Sequence, residues 1–395
     1  MTDARRPLHV LMLLGGSYPP PKGGGTQAQV RLLAKALRTR GHKVTVLAPL
    51  IHPGSERRVE RLDGVPVCRL AFPHLRVLGS VCLMSRLFLF LLFRRNRYDV
   101  WHAHSPRRVA AVAALLGSRC EKPVVVVKVA SAKEFDTGTL SPRPSPIGRV
   151  IYLCLKHADA WQAISGRIAR ALAAKGIPEF RIAAIPNAVD VGRFRRIPRF
   201  EARAPRFLFI GRLVPVKNLS LLLEAFAELL RSHPDAQLRI VGGGALDASL
   251  KQQARALGIA ASVEFTGHRE DIEALIADAD FGVLPSSVEG LSNSLLESMA
   301  SGLPMIASRV SGSEDLVHTG KNGWLFEPDD RKALTACLVD AAALSPQRRD
   351  EFSAEARATI ERHASLDSVL ERMTALYRGS TAPAEITAPA ASEIF

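Results

Sequence analysis

Cysteine is scarce. The 395-residue chain holds five, Cys68, Cys82, Cys120, Cys154 and Cys337, scattered, odd in number and without a C-x-x-C pair. That argues against a disulfide framework and a zinc site, and for reduced thiols in a cytosolic compartment. The spacing G-x-G-x-x-G is missing, which disfavours a nicotinamide or flavin cofactor. No zinc-finger or RNP-type pattern accompanies the basic charge, so nucleic acid is not an expected partner. Residues Met1–Pro7 lead straight into an apolar strand and lack the apolar stretch and cleavage site of a signal peptide, so a cytoplasmic location is expected.

What is present is a basic chain of net charge +15, with 47% hydrophobic residues, enough for two full cores. The charge is uneven. Residues 1–200 carry 34 Lys and Arg against 11 Asp and Glu (+23); residues 201–395 carry 19 against 27 (−8). A basic half suits anionic lipid or a phosphorylated acceptor.

Apolar strand patterns alternate with amphipathic helix patterns, and the alternation restarts. The first series begins at His9–Leu14, followed by a Gly/Pro-rich loop containing Lys22-Gly-Gly-Gly25 and a helix over Thr26–Arg40. It continues through Asp99-Val-Trp-His-Ala-His104 and a strand at Pro123–Val129 to Pro186-Asn-Ala-Val-Asp190. Residues 192–205, with five arginines, read as a linker. A second series runs from Arg206–Ile210 through helices to about Tyr377, and the tail from 379 has a disordered composition. This predicts two facing Rossmann-like doubly wound parallel-sheet domains, 1–191 and 206–378, with ligands beyond the carboxyl ends of the strands, in the cleft between them. The last helix could pack back on the first domain.

Three stretches carry the candidate chemistry. Glu289-Gly-Leu-Ser-Asn-Ser-Leu-Leu-Glu297 joins a buried strand to a helix. The turn and helix start suit a phosphate or diphosphate, and the two carboxylates suit sugar hydroxyls. The competing reading is a Ser294–Glu297 capping box. His102 and His104 share one strand face; a metal pair lacks a third ligand, and the favoured reading has one packed and the other lining the cleft. Val77–Phe93 is very apolar but carries Arg86 and is followed by Arg94-Arg-Asn-Arg97. A buried core helix, a helix lying in a membrane interface and a true span compete there.

The ordered set resembles a family-4 retaining glycosyltransferase of the GT-B fold, a member of the glycosyl transferases group 1. The motifs are the glycine-rich first loop, Asp99–His104, Pro186–Asp190, Gly211-Arg-Leu with Lys217-Asn218, and the E-x7-E stretch. The resemblance implies a nucleotide diphosphate sugar as donor, UDP-linked first and GDP-mannose next, and a glycan or lipid-linked acceptor. It implies that no cofactor or metal is required. Arg212 and Lys217 would hold the donor diphosphate, Glu297 the ribose, and Glu289 the transferred sugar. Backbone around Gly290, Leu291, Ser292, Asn293, Ser294 and Leu295 would complete the phosphate site. Gly24 and Gly25 would approach it, and Gly267, His268 and Arg269 would meet the base. Asp278-Ala-Asp280 mimics the metal motif of the other major glycosyltransferase fold but reads as structural. Many relatives carry a histidine after the strand at Pro123–Val129; this chain does not. His104, Lys128, Ser131 and Glu134 are the acceptor-side candidates, Lys128 otherwise a snorkelling lysine. The alternatives are a non-catalytic sugar-nucleotide or glycan-binding subunit of a membrane-associated assembly, and a GT-B-like epimerase or phosphorylase.

Overall fold

The computed structural model describes residues 6–19, 24–118, 123–196 and 204–379. Lys22, Gly23, Cys120, the middle of the expected linker (197–203) and the tail from 380 lie outside the described residues. The chain divides into two compact units: one running to Ala188 and resuming at Val369, the other Val189–Ser368.

The first unit contains β1 (His9–Leu13), α1 (Gly25–Thr39), β2 (Lys43–Pro49), β3 (Val59–Leu62), β4 (Val65–Leu70), α2 (Arg76–Arg94) and β5 (Val100–Ala103). It continues with α3 (Arg108–Gly117), β6 (Val124–Val129), α4 (Lys133–Asp136), α5 (Pro146–Leu155), β7 (Ala160–Ala163), α6 (Gly166–Ala174) and β8 (Ile182–Ala184). The sheet order is β3-β4-β2-β1-β5-β6-β7-β8. Every pairing is parallel except β3 with β4. Strands buried on both faces are largely apolar, which is why β1, β5 and β6 read as mostly apolar runs, with His102 in β5 and Lys128 in β6 the buried polar exceptions. Helix α1 buries Val30, Leu33, Ala34 and Leu37 at helical spacing, and Gly41, at φ 87°, turns the chain out of it.

The β3–β4 hairpin is an addition to the expected series. Asp63 (φ 50°) and Gly64 (φ 76°) form its tip, the left-handed pair that a two-residue hairpin turn requires. Helix α2 departs from the core-helix reading. Leu87 and Leu91 are buried, but Val77 and Phe93 are 77% and 79% exposed, and Leu78, Val81, Phe88 and Leu89 are exposed as well. Only one seam of a helix that is apolar nearly all round packs inward, and α3 lies against it.

The second unit contains β9 (Arg206–Ile210), α7 (Leu219–Leu229), β10 (Gln237–Val241), α8 (Asp247–Ala256), β11 (Val263–Gly267), α9 (Ile272–Asp278) and β12 (Phe281–Leu284). Then follow α10 (Asn293–Ala300), β13 (Met305–Ser308), α11 (Ser313–Leu316), β14 (Gly323–Phe326), α12 (Arg331–Ala342) and α13 (Pro346–His363). All six strands are parallel, in the order β11-β10-β9-β12-β13-β14. The core includes Phe207 stacked on Phe281 (centroids 5.5 Å apart) and Trp324 on Phe352 (4.9 Å). Arg193 pairs with Glu273 and Arg196 with Asp350, so the chain is held on this unit as far as residue 196. The final helix, α14 (Leu366–Tyr377), crosses into the first unit. There Arg372 donates to the Ala184 carbonyl, and the Tyr377 hydroxyl lies 2.8 Å from His102 Nδ1.

Candidate active site

Strand order reverses direction beside β9 in the second sheet, so the loops after β9 and β12 leave the carboxyl edge as neighbours and part to opposite sides. Such a switch point is where doubly wound sheets leave a crevice. The loop after β9, Gly211–Asn218, carries Arg212 and Lys217. The loop after β12, Pro285–Ser292, carries Glu289. Ser287 ties the two together, its N–H donating to the Val216 carbonyl at 3.0 Å and its hydroxyl to the same oxygen at 3.3 Å.

Lys217 and Glu289, 72 residues apart in sequence, form an ion pair with side chains only 13% and 15% exposed. Ser286 Oγ donates to the same carboxylate oxygen at 2.8 Å. Ser286 is itself fully buried, and its carbonyl accepts from Ser308 at the end of β13. The Lys217 ammonium has three donors, so an anion can share it with Glu289. Arg212 is exposed, and its guanidinium makes no hydrogen bond or ion pair among the described residues.

Glycines set these loops. Gly242 (φ 130°) passes so close that a Cβ would lie 1.9 Å from the Gly211 carbonyl oxygen, and one on Gly244 would lie 2.3 Å from that of Leu213. Leu213 N–H donates to Gly243, so the run after β10 is the bed on which the Arg212 loop rests. Gly312 (φ 82°) packs in the same way on Gly290 and Leu291. Only glycine allows such approach. These supports, and Ser286, were not among the expected site residues; the unbroken Gly242-Gly-Gly244 after a strand was the one sequence signal for them.

The chain continues into α10, whose opening N–H groups have no intrahelical acceptor. Its N-cap is Ser292, with no side-chain cap; the Ser292 hydroxyl meets that of Ser294 at 2.9 Å. The capping-box reading therefore falls: the helix starts at Asn293, and Glu297 sits a full turn in. The Glu297 carboxylate makes no hydrogen bond among the described residues. Burial pushes its carboxyl up to about 7, opposed by the charge of Arg193 and reinforced by that of Glu273. Arg193, expected to be part of a linker, is thus the charged neighbour of this site. Gly267 takes φ 69° and its carbonyl accepts from Gly242 N–H at 2.8 Å. His268 is exposed, and Arg269 is held by both carboxylate oxygens of Asp271 (2.8 and 2.6 Å).

Asp278 and Asp280 lie at the amino edge of this sheet, away from the switch-point loops. Asp278 pairs with Arg206 and Arg239, and Asp280 accepts from Arg206 N–H at 2.9 Å, which is the structural role expected of them.

In the first unit the switch point lies between β1 and β5. Gly24 and Gly25 open α1 there, Gly24 in extended backbone as its N-cap. The histidines correct an expectation. His102 and His104 are both buried, 0% and 1% exposed, with ring centroids 4.1 Å apart. Burial and the nearby Lys128 push the His102 imidazole down to about 3, and burial and His102 push His104 lower than usual too. Both are neutral core groups. Neither ring nitrogen of His104 has a hydrogen-bond partner among the described residues. Lys128 does not snorkel: it is 1% exposed, donates to Asn187 Oδ1 at 2.8 Å, and burial pushes its ammonium down to about 7. Glu134 is bound by Arg107 (3.1 and 2.9 Å) and by Thr139 N–H, and Ser131 Oγ accepts from Lys133 N–H at 3.3 Å.

Residues 190–359 match the family of glycosyl transferases group 1, and residues 24–188 match the glycosyl transferase 4-like domain. The GDP-mannose-dependent alpha-(1-6)-phosphatidylinositol monomannoside mannosyltransferase of Mycolicibacterium smegmatis is 30% identical over 378 residues, covering 90% of this chain and 94% of that protein. The chain belongs to the group-1 glycosyltransferases. The D-inositol 3-phosphate glycosyltransferase of Geodermatophilus obscurus is also 30% identical, over 93% of this chain and 86% of its own length. The fold is that of solved GT-B glycosyltransferases. Anabaena HepE in complex with UDP superimposes with a TM-score of 0.74 at 21% identity, over 94% of this chain and 100% of that one. The sucrose-phosphate synthase of Thermosynechococcus elongatus gives 0.77 at 20% identity, over 94% and 98%. In this group-1 glycosyltransferase, Lys217 and Glu289 join the two switch-point loops, Arg212 stands on the first loop, and Glu297 lies in the helix that follows the second.

Proposed function

We propose that this glycosyltransferase takes its sugar from a nucleoside diphosphate sugar in the second unit and transfers it, with retention of configuration, to a lipid-linked or glycan acceptor. The observation that carries the reading is the Lys217–Glu289 pair beside Arg212 and the start of α10. When the glycosyl–phosphate bond breaks, negative charge grows on the departing diphosphate. Lys217 and Arg212 stabilise it electrostatically, together with backbone N–H groups of residues 291–295. Glu289 orients the sugar hydroxyls and favours positive character at the anomeric carbon. The Glu297 carboxylate accepts the ribose hydroxyls.

Two cations and a helix start neutralise the leaving group, so turnover requires no divalent ion. The donor is a UDP- or GDP-sugar; a UDP complex in the HepE fold neighbour and GDP-mannose in the name of the mycobacterial relative support both. The phosphatidylinositol monomannoside in that relative's name and the exposed apolar helix α2 favour an acceptor held at a membrane. Thermal-shift measurements with UDP-, GDP- and ADP-sugars identify the donor, since a ligand of the native state raises the midpoint. Product is then assayed with a chelator present, and its anomeric configuration read by NMR. No shift with any nucleotide, or turnover abolished by the chelator and restored by a metal, contradicts the reading.

A further inference from the structure

Helix α2 is not the only apolar surface of the first unit. On α5, Ile147, Val150 and Leu153 recur every three residues and are 59%, 61% and 60% exposed. Pro146 starts this helix and the Ser145 hydroxyl caps it, accepting from Gly148 N–H at 3.1 Å, so the stripe stands on a well-defined element. Helix α3 lies between α2 and α5 and packs on both. The connections β4–α2–β5, β5–α3–β6 and β6–α5–β7 all advance the same way across the sheet. Right-handed crossovers therefore put these three helices on one face. At ordinary helix spacing the two stripes lie roughly 20 Å apart on one side of the unit.

The charge on these three helices has one sign. Helices α2, α3 and α5 contain no aspartate or glutamate. Their charged side chains are arginines: Arg86, Arg94, Arg108 and Arg149 are exposed, and Lys156 follows the end of α5. A second copy of this chain would bring these cations face to face with no carboxylate on the three helices to meet them. An anionic lipid surface supplies both the apolar medium and the countercharge.

We propose that α2 and α5 form a two-helix docking surface for an anionic bilayer, with α5 as a second insertion point independent of α2. This rests on the membrane-held acceptor proposed above. Two separated contacts fix the orientation of the first unit on the leaflet, which one helix, free to roll about its axis, does not.

The test uses the full chain and vesicles of phosphatidylcholine with or without phosphatidylglycerol. Wild type is expected to sediment with the anionic vesicles only, and less as salt rises. The variant Ile147→Ser/Val150→Ser/Leu153→Ser is expected to bind roughly tenfold more weakly, as loss of three inserted aliphatic side chains implies. Its thermal midpoint and its shift with UDP or GDP should match wild type, because these side chains are exposed. Ile147→Trp is expected to show a blue-shifted emission on vesicle binding, quenched by brominated acyl chains. Unchanged affinity of the triple variant, or a tryptophan that stays unquenched while the protein is bound, overturns the role of α5 and leaves the membrane role of α2 standing. Absence of wild-type binding to anionic vesicles overturns both, while the nucleotide shift reports separately on the donor site. A concentration-dependent dimer lost in the triple variant, with no vesicle binding, assigns the face to a second copy and also overturns the proposal.

Discussion

Each unit is built on a parallel sheet with one switch point, and the two use their strand ends in opposite ways. At the carboxyl edge of the second sheet the charged groups are left with capacity to spare. Among the described residues the Arg212 guanidinium is unpaired, Lys217 has donors beyond its bond to Glu289, and the Glu297 carboxylate is desolvated without a hydrogen bond. In the first unit the polar groups at the strand ends are used up or shut away. Lys128 is held by Asn187, Glu134 by Arg107, His102 by Tyr377, and His104 is buried. The first arrangement suits a ligand that brings its own charge. The second makes a stiff polar core, and leaves that unit's outer arginines and exposed apolar stripes to meet a partner.

This contrast is broken hardest by removing the cations of the second unit. Lys217→Ala and Arg212→Ala should each lower kcat by about 100-fold or more, since a single donor to developing charge contributes on that scale. Their melting temperatures should change little, Lys217→Ala the more because it unpairs Glu289. Steady-state kinetics beside a thermal melt checks both.

The matching cut in the first unit should appear in stability instead. Asn187→Ala leaves the Lys128 ammonium buried without its acceptor and should cost about 1–3 kcal/mol, read by denaturant titration. Lys128 adds a pH signature. Its folded-state pKa, about 7, lies below the ordinary lysine value, so between those two values the unfolded chain binds the extra proton. Its contribution to stability therefore rises with pH from about 7 upward. Lys128→Met should flatten that slope, which chemical denaturation at several pH values measures.

Glu297 gives a smaller effect, on binding. With its carboxyl near 7, it gains a proton as pH falls through neutrality and becomes a poorer acceptor for a ribose diol. Nucleotide affinity should drop severalfold from pH 8 to pH 6. Glu297→Gln should bind weakly at both and lose the difference. Ser286→Ala sharpens the positional part of the account: losing one neutral hydrogen bond to Glu289 should lower kcat only a few-fold.

Much of this was legible in the order of residues. Parallel central strands are largely apolar on both faces, so β1, β6, β9 and β12 announce themselves. The β3–β4 hairpin was obscured because its first strand, Val59–Leu62, is a charged edge strand, although the Asp63-Gly64 pair was a sufficient turn signal. Hydropathy located α2 but not its exposure, because apolarity does not say which faces find a partner. The pairings Lys217–Glu289 and Lys128–Asn187 join residues 72 and 59 apart, and only the folded sheets bring them together. Lys128 shows the limit most plainly: a lysine at a strand end reads as a surface group until a buried amide oxygen is found to receive it.

The central claim is that cations at the second unit's switch point hold the donor diphosphate. Calorimetric titration of UDP and GDP into wild type, Arg212→Ala and Lys217→Ala tests it without the complications of acceptor or turnover. The account predicts saturable binding of at least one nucleotide by wild type, weakened roughly tenfold or more in each variant. Equal affinity in all three proteins would contradict it.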